Sequence, residues 1–120
     1  MSKRNKQYKI VYRVQLRKDN TVGPYRRWVD EHCDASQRRR LMGRPYIRTE
    51  GFVSSNMYFG FPHKKALYKW FTKRDLVQLR LAGYVIAKYK VHHDYLIIDQ
   101  RPVSTQCAFE LNRAELLEAA

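Results

Sequence analysis

The stretch from Tyr8 to Leu16, YKIVYRVQL, decides the first element of the fold. Apolar side chains occupy every second position of it, and successive side chains of an extended chain point to opposite faces. The pattern therefore predicts a strand with one buried face. The two faces are Tyr8, Ile10, Tyr12, Val14 and Leu16, expected inside, and Lys9, Val11, Arg13 and Gln15, expected outside.

The rest of the chain predicts an α+β fold with small mixed or antiparallel sheets and a helix pair. Further strands are predicted at 52–53, 57–59, 84–91, 95–98 and 105–111. The first helix of the pair carries Ala66, Leu67, Trp70 and Phe71 on one face. Thr72 and Asp75 form a capping box that begins the second helix, which presents Leu76, Leu79 and Leu81 and ends at Gly83. A short helix is predicted at 113–119. Because the strands do not alternate with helices, the order is not that of a βαβ protein.

The domain organisation is predicted to be simple. Residues 1–7 form a basic tail, and residues 8–120 form a single domain that is long enough to bury a core. Residues 26–50 show no sustained period, which predicts a long basic loop with a short helix near 26–32. Loops of that length in a compact domain are usually functional.

Composition excludes several classes of protein. The two cysteines, Cys33 and Cys107, are too far apart for a CxxC pair, which favours a reducing compartment over a disulfide framework. No apolar run is long enough for a signal peptide or a membrane span, so we expect a cytoplasmic protein without a membrane partner. The oligomeric state is not determined by the sequence.

Charge is the outlying property of the chain. It has 24 Lys and Arg against 11 Asp and Glu, a formal net charge of +13. Charge of this size draws a protein to polyanions, whereas scattered charge would serve solubility alone. Here the charge is clustered, and arginine suits phosphate well. The residues predicted to contact nucleic acid or another acidic partner are Arg26, Arg27, Arg38, Arg39, Arg40, Arg44, Arg48, Lys64 and Lys65.

Motifs for common catalytic and metal sites are missing from the sequence. No P-loop, GxGxxG, HExxH, GxSxG or zinc spacing is found. Adjacent His92 and His93 would point to opposite faces of a strand, so a solvated turn is favoured over a metal site there. We therefore predict no metal. Cys107, in an apolar strand, is predicted to be a buried inert thiol.

Four pieces of the sequence together resemble the ADP-ribosyltransferase-like fold, in a reduced form similar to small phage and prophage proteins. They are Tyr12-Arg13-Val14 followed by Gly23-Pro24-Tyr25, Asn56 to Phe61 leading into the helix, the strand at 84–91, and Thr105 to Phe109. They occur in the order of that family and span most of the chain.

The resemblance implies NAD as cofactor and a cleft that contains Arg13, Tyr58 and Gln106 as the catalytic positions. Arg13 would bind the anionic middle of the dinucleotide and Tyr58 the nicotinamide. Gly23, Tyr25 and His63 complete the implied cofactor site. Gln106 replaces the glutamate of the family, and a neutral amide cannot offset cationic charge as a carboxylate does.

Each of the three implied catalytic positions also has a purely structural explanation. Arg13 could lie on an exposed sheet face, Tyr58 in the core, and Gln106 against water.

Three functional hypotheses follow from these patterns. The first is an NAD-dependent ADP-ribosyltransferase or NAD-cleaving enzyme whose basic loop recognises an acidic target, such as a nucleic acid or a nucleic-acid-binding host protein. The second is a non-enzymatic basic binder on the same scaffold, either of nucleic acid or of a host factor that it inhibits. The third, a small basic structural protein, accounts for the charge but leaves the motif order unexplained.

Overall fold

The computed structural model describes residues 7–24, 28–29, 33–42, 57–98 and 106–120. Within these residues the strands and helices alternate irregularly along the chain. In chain order they are β1 (Tyr8–Leu16), α1 (Ala35–Met42), β2 (Met57–Gly60), α2 (Lys64–Trp70), α3 (Lys73–Leu81), β3 (Tyr84–His92), β4 (Leu96–Ile98), β5 (Cys107–Glu110) and β6 (Ala114–Ala119). The predicted α+β class is confirmed.

The described strands form two antiparallel three-stranded sheets. Sheet A has the order β1-β3-β6 and sheet B the order β2-β5-β4. The sheets meet where Tyr12 of β1 bridges Phe61, which directly follows β2. Tyr12 N–H donates to Phe61 O over 2.8 Å, and Phe61 N–H donates to Tyr12 O over 2.7 Å.

Strand β1 is buried on both faces, so the prediction of one buried and one exposed face is wrong. Val14 belongs to a core cluster shared with the helices, which we call the helix-side core. Val11, on the opposite face, belongs to a second cluster with β3 and β5, the sheet-side core. Arg13 and Gln15 share the face of Val11 and are each only 4% exposed. Alternation of polarity cannot reveal a second layer that covers the polar face.

Helix α1 occupies the middle of the predicted long loop. Its start is a capping box, in which Asp34 Oδ1 accepts from Gln37 N–H (2.8 Å) and Gln37 Oε1 accepts from Asp34 N–H (3.2 Å). Leu41 lies one turn further and is buried in the helix-side core. The loop prediction is therefore wrong at residues 35–42. Of the predicted helix at 26–32, Trp28 and Val29 are helical and buried, and the other residues lie outside the described part.

The helix pair agrees with its sequence signals. The predicted capping box of α3 is confirmed, with Thr72 accepting from Asp75 N–H and Asp75 accepting from Thr72 N–H. Gly83 ends the helix with φ +94°, a conformation that favours glycine. Leu79 is buried as expected, whereas Leu81 is 84% exposed and takes no part in the core.

The C-terminal segment is a strand and not the predicted helix. Its residues Ala114–Ala119 pair antiparallel with β3, with Glu115 opposite Lys90 and Glu118 opposite Lys88. Opposite charges in facing positions of a sheet stabilise the pairing. Helix propensity of a sequence such as AELLEA is a weak preference that a sheet edge overrides.

Replacing Gly60 with alanine is expected to destabilise the junction of the sheets. A Cβ at Gly60 would lie 2.7 Å from Val11 Cγ1 and 2.9 Å from Tyr12 O, and both groups belong to packed strands. Overpacking of this kind costs about 1–3 kcal/mol. Chemical denaturation should show that loss for Gly60→Ala. The control Gly23→Ala should change stability far less, because its nearest neighbour would be the Arg13 side chain at 3.4 Å.

Candidate functional site

Arg13 is the central residue of the first candidate site. Its Nη1 donates to Phe59 O over 2.9 Å, its Nε to Asn20 O over 3.4 Å and its Nη2 to Thr21 O over 3.5 Å. The guanidinium carbon lies 5.1 Å from the centre of the Tyr58 ring, a cation–π contact. Arg13 is also buried, so it does not lie on an exposed face of the sheet. The side chain fastens the turn after β1 to strand β2.

Gly23 completes this arrangement. A Cβ built on it would lie 3.4 Å from Arg13 Nη2, so the backbone of Gly23 borders the guanidinium. The structure thus brings together three residues that the resemblance assigned to one site, Arg13, Gly23 and Tyr58. His63 is exposed at the N-terminal end of α2 and makes no side-chain capping bond there. Tyr25 lies outside the described residues.

Gln106 is a buried amide beside the same sheet junction. Cys107 pairs with Gly60 in the antiparallel register of β2 and β5. Gln106, one position before Cys107, is therefore level with Phe61. The Gln106 side chain is 1% exposed, and neither Nε2 nor Oε1 has a hydrogen-bond partner in the described part of the chain. The explanation by a water-facing glutamine is therefore excluded. A buried amide without partners carries a large desolvation cost.

Replacing Gln106 with leucine is expected to raise the free energy of unfolding by about 1–3 kcal/mol, because an unsatisfied buried polar group is removed. Gln15→Leu is the matched control. Gln15 is also buried, but its Oε1 accepts from Tyr89 O–H over 2.8 Å, so its loss should destabilise the protein. Urea unfolding of both variants measures whether the free energy of unfolding rises for Gln106→Leu and falls for Gln15→Leu. A destabilised Gln106→Leu protein would contradict the prediction and show that the amide binds a polar group.

The second candidate site is a surface formed by the three helices, which we call the helical layer. Each helix contributes a buried residue to the helix-side core: Leu41 from α1, Leu67 from α2 and Leu79 from α3. Helix α1 is joined to α3 by Gln37 Nε2, which donates to Asp75 Oδ1 over 2.8 Å and to Gln78 Oε1 over 3.0 Å. The three helices thus pack on one core, and their other sides are exposed.

The outer side of the helical layer is strongly basic. Its exposed cations are Arg38, Arg39, Lys64, Lys65, Lys69, Lys73, Arg74 and Arg80. Within the three helix sequences the one acid is Asp75, which is 1% exposed and occupied in capping. Asp34 lies directly before α1. Its Oδ2 lies 3.9 Å from Arg74 Nη2 and offsets part of this charge.

Four of the predicted partner-binding residues, Arg38, Arg39, Lys64 and Lys65, are exposed on the helices of this layer. Arg40 belongs to α1, and the structure does not describe its side chain. The predictions for Arg26, Arg27, Arg44 and Arg48 fall outside the described residues. Sequence reasoning left Arg80 out, although its place six residues after Arg74 on a capped helix was readable from the sequence.

Two further groups have clear electrostatic behaviour. Burial raises the pKa of the Cys107 thiol far above its usual value, so this cysteine stays protonated and unreactive, as predicted. Hydrogen bonds from the hydroxyl and the N–H of Thr21 lower the pKa of Asp19. Among the described residues no group of three His, Cys, Asp or Glu side chains could hold a metal ion. No described helix is long and apolar enough to cross a membrane.

Comparison with known proteins assigns the chain to a phage family. Residues 1–120 match the family model described as Bacteriophage T4 Y00F protein. The chain belongs to this family. Membership in the Bacteriophage T4 Y00F family confirms the resemblance to small phage proteins. No curated protein and no solved structure matches the chain.

Proposed function

We propose that this member of the Bacteriophage T4 Y00F family is a non-enzymatic binding protein that holds nucleic acid on its helical layer. The observation that carries the proposal is the eight exposed cations of that layer, combined with the burial of its one acid. Lys and Arg that neutralise phosphates release condensed counterions, and this release supplies most sequence-independent affinity for nucleic acid.

The distribution of charge supports a local binding surface over general solubility. Lys88 and Lys90 of sheet A face Glu118 and Glu115 across the strand pair, so each has an acid in the facing position. On the helical layer, Arg74 contacts Asp34, and helix α2, which carries Lys64, Lys65 and Lys69, contains no acidic residue. A polyanion approaching the helices therefore meets an excess of positive charge.

The salt dependence of binding tests this function. The logarithm of the association constant should fall linearly with the logarithm of the salt concentration, with a slope of about −0.9 per phosphate contacted on duplex DNA and about −0.7 on single strands. Fluorescence anisotropy with labelled oligonucleotides measures it. A response to salt that is flat, or no binding at all, would contradict the proposal and favour an acidic host protein as the partner.

NAD-dependent ADP-ribosyl transfer on an ADP-ribosyltransferase-like fold is a second candidate function. One observation favours it: Arg13, Gly23 and Tyr58 meet, as the resemblance implies for a dinucleotide site. The donors of Arg13 are, however, directed at backbone carbonyls, and Gln106 supplies no carboxylate. For these reasons we rank the transferase second.

The transferase is tested with the intact protein and NAD. Calorimetry should detect NAD binding, and chromatography should detect nicotinamide release in the presence of a nucleic-acid or protein target. Tyr58→Phe, which keeps the ring above which Arg13 lies, separates a catalytic effect from unfolding. Absence of both binding and release would exclude this function and leave the nucleic-acid binder.

A further inference from the structure

We propose that the nucleic acid bound by the helical layer is single-stranded, and that Tyr68 of α2 stacks on one of its unpaired bases. This inference rests on the nucleic-acid function proposed above. The aromatic residues of this region differ in their exposure. Phe61 packs against Phe71 at 6.1 Å and against Trp70 at 6.3 Å between ring centres. Tyr68, by contrast, is 49% exposed.

The surroundings of Tyr68 are cationic. Lys64 and Lys65 precede it by four and three positions, so all three side chains are neighbours on the helix surface. Lys69 follows it directly and is also exposed. A half-exposed aromatic ring among three lysines combines the two components of single-strand binding, an aromatic platform and charge that follows the backbone.

Base pairing decides whether the ring can be used. In a duplex the faces of the bases are covered by the neighbouring base pairs. A side chain on the surface of a protein helix then contacts the phosphates and the edges of the bases in the grooves. In a single strand a base can turn outward and stack on a tyrosine. Tyr68 therefore adds affinity for a single strand that the lysines alone would not provide.

The test compares one strand with its duplex. The probe is a labelled DNA of about 15 nucleotides without self-complementarity, used alone and annealed to its complement. Fluorescence anisotropy at several salt concentrations gives the Kd of wild type, Tyr68→Leu and Tyr68→Phe. Tyr68→Leu keeps an apolar side chain without a ring, and Tyr68→Phe keeps the ring without the hydroxyl.

We expect Tyr68→Leu to raise the Kd for the single strand by roughly 5- to 150-fold, the value of one stacked base. Its Kd for the duplex and its salt slope should stay unchanged, because no charge is removed. Tyr68→Phe should bind like wild type. The control is Tyr8→Leu, which should bind both probes like wild type. Tyr8 is 42% exposed and its ring centre lies 4.6 Å from Lys90 Nζ, but it lies on sheet A outside the helical layer.

Two results would overturn the inference while leaving the nucleic-acid function intact. One is a duplex bound as tightly as the single strand, and the other is equal weakening of both by Tyr68→Leu. Failure of wild type to bind either probe would instead overturn the proposed function, and this inference with it.

Discussion

Replacing Lys64, Lys65 and Lys69 together with glutamine is expected to raise the Kd for a nucleic-acid oligonucleotide by roughly 50- to 200-fold at 0.15 M salt. Each phosphate contact contributes about 0.7 to 0.9 to the salt slope, which at this concentration corresponds to about four- to sixfold in affinity. The three side chains are exposed on α2 and take no part in the core. Anisotropy titrations should also show a slope smaller by about 2 to 3.

A second triple variant separates the effect of charge on the helical layer from the effect of the protein's net charge. Lys88, Lys90 and Arg113 replaced with glutamine lower the net charge of the protein by the same three units. The two lysines face Glu118 and Glu115, and Arg113 lies over the Tyr95 ring at 5.4 Å. If the helical layer is the binding surface, this variant keeps most of the affinity. Equal losses in the two variants would show that only net charge matters.

Replacing Arg13 with methionine is expected to lower the free energy of unfolding by about 2–4 kcal/mol. The variant fills most of the same volume but leaves Phe59 O without its 2.9 Å donor and removes the contact with Tyr58. Hydrogen bonds from charged donors contribute about 1.5–3 kcal/mol, and the lost cation–π contact adds about 0.5–1 kcal/mol. Urea denaturation followed by circular dichroism measures the effect.

Two companion variants define the cause of the Arg13 effect. Arg13→Lys keeps the charge but not the planar fork that reaches several carbonyls, so it should recover little of the lost stability. Arg17→Met, at the exposed position directly after the same strand, should change stability by less than about 0.5 kcal/mol. A stable Arg13→Met protein would mean that the guanidinium is held for a ligand and not for the fold.

Elements specified by local signals could be predicted from the sequence. Strand β1 follows from strict alternation, and α3 follows from the Thr72–Asp75 capping box and Gly83. Asp34 and Gln37 form a capping box of the same type. The three arginines at 38–40 nevertheless favoured the prediction of a basic loop there. Helix α1 was therefore predictable in principle.

Features that depend on distant partners could not be predicted in this way. Strand β6 exists because β3 offers it a hydrogen-bonding edge with lysines opposite its glutamates. The burial of Arg13 depends on a second sheet that covers β1, and the isolation of Gln106 depends on how β5 packs. The family resemblance suggested these positions for a site, but only the tertiary arrangement shows what surrounds them.

The bridge between Tyr12 and Phe61 bears on how the protein unfolds. Its two hydrogen bonds, at 2.8 and 2.7 Å, couple sheet A to sheet B next to Gly60, where an added Cβ would lie 2.7 Å from Val11 Cγ1. Amide protons on both sides of the bridge should therefore exchange with solvent through the same opening event. The two sheets then constitute one cooperative unit, and the helical layer is presented to its partner on a scaffold that opens as a whole.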